Sequence, residues 1–463
     1  MDTSPQMVER RRRGSATARE TNANAARRYD EKVALVNAGR ATVMIGRAAV
    51  IAMFLALLPP ATSRAQGSPP DSAPRSVAPG VTLRTIVRPE GPWVIHALAV
   101  ALSRGDLEVH AARACDRFTG RERPSAISKR LNAEGAGVVA AINAGFFDLE
   151  GGSGVSENNV VVDGEIVKGV ATTESPFGRR NTVRSQFAIE ADGRPAIERF
   201  RLAGTVRTPR GRWPLGSLNG DPVVDGVALY TSWTTRPPRF PATVRSVSIP
   251  LERVGGHGDT LRYRVRADGR DSVADSTIAH GLLVGTGRAA AGIGALRPGD
   301  VITVVATITP GGTPRALVGG WPAIVHRGES IAARADSVEG TFPRFSSARH
   351  PRSAVGISRG GDTLLLVAVD GRQASSVGMS LVELAQTMIE LGAWDAVNLD
   401  GGGSTALVVN DSVVSSPSDP TGERAVGDVL LVTRAAGERV TRRLPARNIV
   451  PSCVLAGARD PDR

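Results

Sequence analysis

Lysine is almost missing from this chain: Lys32, Lys129 and Lys168 are the only lysines among its 57 basic residues. The formal charge of +12 is therefore carried by arginine, and arginine is scattered through every segment rather than gathered on one helix. Aromatic residues make up only 4% of the sequence, and no basic stripe interleaved with aromatics occurs. This pattern speaks for an arginine-rich genome composition and against a nucleic-acid surface, so no nucleic-acid partner is expected. Cysteine is scarcer still. Cys115 and Cys453 are too few and too far apart for a CxxC metal knuckle, and no His/Cys spacing supports zinc. A GxxxxGK[ST] loop is missing, which excludes a P-loop nucleotide hydrolase at motif level. No repeat of solenoid or propeller period is visible.

Long apolar runs are missing too. Ala48–Leu58 is too short to span a bilayer, but it follows Arg47 and precedes Ser63-Arg64-Ala65, a small-x-small site. Residues 44–65 therefore read as a secretory signal peptide cleaved after Ala65, with an uncleaved N-terminal anchor as the rival. Residues 1–43 are polar, Arg-rich and aperiodic, either disordered or an over-extended start. Residues 66–89 read as a Pro/Ser-rich linker, residues 90–434 as the folded domain and residues 435–463 as a polar, Arg-rich tail. In an exported protein Cys115 and Cys453 could form a disulfide pinning that tail to the N-terminal lobe; two free thiols are the alternative.

What is present centres on Asp362–Asn410. Thr363–Val369 is an apolar run of strand length that stops at Asp370-Gly371-Arg372. Ser380 opens a helix, Glu383 completes a capping box, and Gly392 stands where a C′ glycine should. Asp395–Leu399 is a second strand running into Asp400-Gly401-Gly402-Gly403-Ser404-Thr405. Strand, helix and strand at this spacing predict a βαβ unit with adjacent parallel strands. Asp370 and Asp400 then emerge at one sheet edge, where open α/β sheets build sites. Three glycines would leave backbone N–H groups uncovered for an anion or a sugar. The plain alternative is a tight turn with two solvated aspartates.

DGR, GMSLVELAQTMIELGAWDAVNLDGGGST and PSDPTGERAVGDVLLV together resemble the phosphodiester glycosidase family. The likeness extends to Asn143-Ala144-Gly145-Phe146-Phe147, Gly319-Gly320-Trp321-Pro322 and Arg352-Ser353-Ala354-Val355-Gly356, across roughly residues 90–434. It implies hydrolysis of a sugar-1-phosphodiester, such as N-acetylglucosamine on a cell-wall polymer or exopolysaccharide. A metal-dependent phosphodiesterase and a non-catalytic carbohydrate-binding protein are the other classes left open.

Elsewhere, Trp93–Leu102 and Leu107–Ala111 read as strands, Ala126–Asn132 as a helix and Val138–Ile142 as a buried strand ending at Asn143. The Asn143 amide could bind sugar hydroxyls with Phe146 and Phe147 packing on the ring; an Asn capping the strand, with both Phe in the core, is the alternative. Val160–Val167 reads as a hairpin turning at Asp163-Gly164. Residues 186–309 are short, turn-punctuated β segments, hence antiparallel. Asn219-Gly220-Asp221-Pro222 resembles a rim loop but reads first as a turn. The expected class is therefore α+β: mixed sheets with flanking helices, the C-terminal βαβ unit carrying the site and an antiparallel middle.

Glycosidic cleavage calls for two carboxyl groups, here Asp400 and Asp370. A phosphate leaving group calls for charge neutralisation, here by Arg352, Arg372 or Arg424, with Gly401, Gly402, Gly403 and Ser404 beside it. Asp370, Asp400 and Asn143 are hard oxygen ligands of the kind that hold Ca²⁺ or Mg²⁺, so metal dependence stays open. No organic cofactor is expected.

Overall fold

Continuous apolar runs in this chain are strands buried on both faces, and Thr363–Val369 is the clearest. Leu364, Leu366 and Ala368 enter one core while Leu365, Val367 and Val369 enter another. In the computed structural model, which describes residues 72–149, 151–174, 181–221, 225–234, 244–267, 280–434 and 453–454, this strand lies inside an eight-stranded sheet. The order is Arg75–Ala78, Val81–Arg88, Trp93–Ala101, Thr363–Val369, Arg352–Ile357, Asp395–Asn398, Ala323–His326, Glu329–Ser330. Every pairing in it is antiparallel.

A five-stranded antiparallel sheet faces it, with Val138–Asn143 between Leu407–Val409 and Asp428–Arg434. Side chains from both sheets share one core, including Leu98, Leu366, Val397, Ile142 and Leu430. Helix Leu381–Glu390 covers the outer face of the larger sheet through Leu381, Leu384, Ala385 and Met388. Helix Pro124–Ala133 covers the other through Ile127 and Leu131. The result is a helix–sheet–sheet–helix stack, each amphipathic face buried against the next layer.

The middle of the chain is the antiparallel region the turn spacing predicted, and it closes on itself. Seven strands form a ring: Arg201–Thr208, Gly211–Leu218, Val227–Tyr230, Leu282–Thr286, Ser246–His257, Thr260–Val265 and Val301–Thr309. A parallel pairing of Leu215 with Val227 and of Leu218 with Leu229 supplies the closure. Closure removes free edges, and Val206, Leu215, Leu229, Ile249, Tyr263 and Val304 fill the interior.

Three expectations need correction. The strands on either side of helix Leu381–Glu390 run the same way but are not neighbours, so no adjacent parallel βαβ pair forms. Arg352–Ile357 lies between them, antiparallel to both. The reason is local: Ser358–Asp362 is a tight turn, with Gly361 at φ 72°, that folds Arg352–Ile357 back as a hairpin partner. The helix then carries the chain across that hairpin strand. The α+β description yields to a β-rich sandwich and barrel with few helices. The supposed linker 66–89 holds two strands, Arg75–Ala78 and Val81–Arg88, and the latter pairs along its whole length with Trp93–Ala101.

The segment read as a signal peptide, residues 44–65, lies outside the described residues, as do residues 435–452 of the tail. Residues 453–454 are described. Val454 bridges Arg121, and Cys453 is disulfide-bonded to Cys115. Among the described residues no helix is long and apolar enough to cross a membrane.

Candidate active site

Two turns clasp one residue at the edge of the larger sheet. Arg352–Ile357 begins just after Pro351, and the Asp370 and Asp400 turns stand on either side of it. A Cβ at Gly371 would lie 2.6 Å from the Pro351 nitrogen, one at Gly401 2.7 Å from its carbonyl oxygen. The Gly402 N–H donates to that same carbonyl at 2.9 Å. Asp370 and Asp400 therefore share an edge, as the chain direction implied, but with a strand between them. Two interstrand spacings put their backbones roughly 10 Å apart.

Each glycine of the triplet is needed for a separate reason. Gly402 sits at φ 62°, a backbone that side chains rarely adopt. At Gly403 a Cβ would fall 2.1 Å from both Arg424 Nη2 and Asp419 Oδ1. The expected row of uncovered N–H groups is not what forms. The Gly402 N–H is spent on Pro351 and the Gly401 N–H on the Asp400 carboxyl.

Asp400 has the surroundings of an acid. Its backbone is fixed twice: its N–H donates to Ala144 at 2.9 Å, and its carbonyl accepts from Asn143 Nδ2 at 2.6 Å. The residue as a whole is half-buried, but protein crowds the carboxyl, and loss of hydration pushes its pKa up to about 7. The Ser404 hydroxyl and Arg424 pull the other way, while the negative charge of Glu157 adds to the rise.

Asp370 is a different residue from the one the sequence implied. It is buried, with one carboxyl oxygen 3.1 Å from His96 Nε2 and the other accepting from the Ser416 N–H at 2.8 Å. His96 also lies 3.3 Å from Thr85 through Nδ1. Asp370 thus braces the strand end and the Ser416 loop, and it is not gathered with Asp400 as a pair. Asn143 is likewise internal: its amide oxygen accepts from Ser353 Oγ and Ala406 N, at 2.6 and 3.1 Å. No sugar hydroxyl is needed to satisfy it. The ligand set proposed for Ca²⁺ or Mg²⁺ is consequently not assembled. Among the described residues no three His, Cys, Asp or Glu side chains form a metal cluster.

The arginines divide the same way. Arg352 is 1% exposed, spends its donors on the Met379, Phe345 and Ala348 carbonyls and lies over the Phe345 ring. Burial lowers its pKa to about 10. It locks the loop before its strand. Arg424 holds Asp419 with two hydrogen bonds, 2.7 and 3.0 Å, and reaches Ser404 Oγ at 3.4 Å. Arg372 is exposed, held at φ 60°, and its guanidinium lies over Gly402, 3.1 Å from where a Cβ would stand.

The aromatics around this edge, including Phe146 and Phe147 offered for packing on a sugar ring, have protein partners. Trp321 is stacked on Phe345 at 5.0 Å, has Arg184 over its ring at 4.6 Å and donates to the Glu339 carbonyl. Phe147 is in the core, and Phe146 meets Trp321 edge-on. His350 rests against the Arg344 carbonyl, with its pKa lowered by burial. Asn219 closes a turn by bonding Val167 and Thr231.

Sequence reasoning passed over Glu157, Arg184 and His96. His96 sits opposite Ala368, diagonal to Asp370 across the ladder, so a polar residue inside an apolar strand was the available signal. Glu157 stands in the glycine-rich stretch Gly151–Asn159, where no motif singles it out. A cavity of about 350 Å³ at the barrel, lined by Asp163, Asp259 and Tyr263 among others, shares no residue with this site.

Residues 261–433 match the family model described as phosphodiester glycosidase. Over 97 residues the chain is 39% identical to the N-acetylglucosamine-1-phosphodiester alpha-N-acetylglucosaminidase of Bos taurus and 36% identical to that of Homo sapiens. Each match covers 20% of this chain and 18% of the relative. The fold is similar to that of a hypothetical protein from Synechocystis (TM-score 0.63, 21% identity, 80% of this chain and 64% of that one). It is also similar to a Burkholderia pseudomallei K96243 protein provisionally named as exported (TM-score 0.58, 25% identity, 74% of each chain).

Proposed function

With a phosphodiester glycosidase match over residues 261–433 as the premise, we propose that this chain is an exported hydrolase that breaks the sugar C1–O bond of a sugar-1-phosphodiester. The observation that carries the reading is Asp400: a carboxyl whose pKa is pushed up to about 7, beside a triple-glycine turn with Arg372 over one face. A group titrating there keeps a substantial protonated fraction at neutral pH and can give its proton up to a leaving oxygen, the balance an acid catalyst needs. Arg372 adds a planar fork suited to a phosphate, and Arg424, already holding Asp419, adds positive charge nearby. Substrate chemistry is drawn from the bovine and human relatives, named for an N-acetylglucosamine-1-phosphodiester. The form of substrate proposed for an exported enzyme is a cell-wall or exopolysaccharide polymer carrying such a link.

Export rests on the Arg47, Ala48–Leu58, Ala65 pattern and on the Cys115–Cys453 disulfide, which suits an oxidising compartment. The test is incubation with a panel of sugar-1-phosphodiesters, UDP-N-acetylglucosamine included. Free sugar plus a phosphomonoester is the expected outcome. Sugar phosphate plus alcohol would indicate a phosphodiesterase, and binding without turnover a carbohydrate-binding protein.

A further inference from the structure

We propose that Glu157, not Asp370, is the second catalytic carboxyl of this site: the base that activates water while Asp400 protonates the departing phosphate oxygen. The inference rests on the glycosidase reading above and adds a residue that the reading lacks.

Both acids hang from the same short segment. The Asp400 N–H donates to the Ala144 carbonyl at 2.9 Å, and the Glu157 N–H donates to the Phe146 carbonyl at 2.8 Å. Two residues of the Asn143–Phe147 turn therefore fix both backbones at once. Asp370 has no such link, and its carboxyl is consumed by His96 and Ser416. The electrostatics agree with the geometry: Glu157 is the acid whose charge raises Asp400, while Asp370 is not among the causes.

Glu157 is also built as a functional carboxylate would be. Its side chain is 35% exposed, yet one oxygen is held at 2.6 Å by Arg184, which is 1% exposed. Arg184 in turn lies over the Trp321 ring, and Trp321 donates its backbone N–H to Asn398, two residues before Asp400. A buried arginine on a buried indole orients a carboxylate whose other side is open to solvent. Buried Lys168 is bonded to the Ser156 carbonyl at 2.5 Å; burial lowers its pKa, and the charges of Asp221 and Glu157 oppose that shift. A surface ion pair would not recruit this much interior structure.

The step balances. Glu157 takes one proton from water as the water oxygen bonds to C1. The C1–O bond breaks, its electron pair stays on the phosphate oxygen, and Asp400 supplies the proton that oxygen receives. Free sugar and phosphomonoester leave, and solvent exchange returns Glu157 and Asp400 to their starting forms.

The test is Glu157→Ala assayed on a sugar-1-phosphodiester that wild type hydrolyses, with and without sodium azide. We expect turnover to fall by at least about a hundredfold, typical of a lost acid–base group. Azide, which needs no base, should restore turnover and yield a glycosyl azide. Glu157→Gln, which keeps an acceptor for Arg184, should lose the same activity while melting like wild type. Unchanged turnover in Glu157→Ala overturns the assignment, and so does loss without azide rescue or loss that only tracks a fall in folded fraction. If wild type itself releases no sugar from any member of the panel, the glycosidase reading falls first and this assignment with it.

Discussion

Asp400 and Asp370 show how two identical side chains at matching strand ends acquire different work. Asp400 is crowded without a full ion pair and stays acidic near pH 7; Asp370 is buried but satisfied on both oxygens. Asp400→Asn should therefore cut turnover by at least about two orders of magnitude with the fold retained. If Asp400 is the proposed acid, the wild-type rate should fall as pH rises through about 7, because a proton donor works in its protonated form. Stability follows the same sign. The folded pKa lies above the ordinary 3.8, so the folded protein holds a proton that the unfolded chain sheds between these values. This contribution is complete at acid pH and lost as pH climbs through about 7. Asp400→Asn should flatten that part of the pH–stability curve, read from thermal midpoints between pH 4 and 8. Arg352 and Arg372 separate by the same logic. Arg352→Lys breaks bonds to buried carbonyls and should cost roughly 1.5–3 kcal/mol of stability. Arg372→Lys should leave the thermal midpoint unchanged and raise KM, since an ammonium cannot replace the fork. The sequence picked out all four residues but could not sort them, because burial and partnership are tertiary facts.

Elements were easier to read than their neighbours in space. The capping box at Ser380 is present as expected: its hydroxyl accepts from Glu383 N, and the Glu383 carboxylate accepts from Ser380 N at 2.8 Å. Ser380→Ala should cost about 1 kcal/mol, measured by denaturant midpoint, with the assay signal intact. The Val160–Val162 and Glu165–Val170 hairpin turns at Asp163 and Gly164, both at positive φ, as the Asp-Gly pair implied. The adjacency of the two site strands was illegible for a definite reason. Strand–helix–strand spacing fixes relative direction, whereas the position between them was claimed by a hairpin whose turn lies outside the unit. Trp93–Leu102 and Leu107–Ala111 both read as strands, yet the chain changes sheets between them. Nothing within either run marks which sheet receives which strand.

At the scale of the whole molecule, the disulfide joins residues 338 apart and ties Cys453 beside the Arg121–Val454 bridge. Opening so long a loop should cost roughly 2–5 kcal/mol, measured as the difference between oxidised and reduced midpoints. The two cysteines were legible as a pair in the sequence with free thiols as the rival, and the fold decides for the pair. Barrel closure was not legible, because it depends on one short parallel contact between strands that each look antiparallel. Sandwich and barrel give the site edge its rigid frame, but the chemistry proposed for that edge rests on one claim: the bond that breaks is carbon–oxygen. Hydrolysis of a sugar-1-phosphodiester in ¹⁸O-labelled water, followed by mass spectrometry of the phosphate-containing product, tests it directly. Attack of water at C1 predicts a phosphomonoester free of ¹⁸O. A label on the phosphorus-bound oxygen would contradict it.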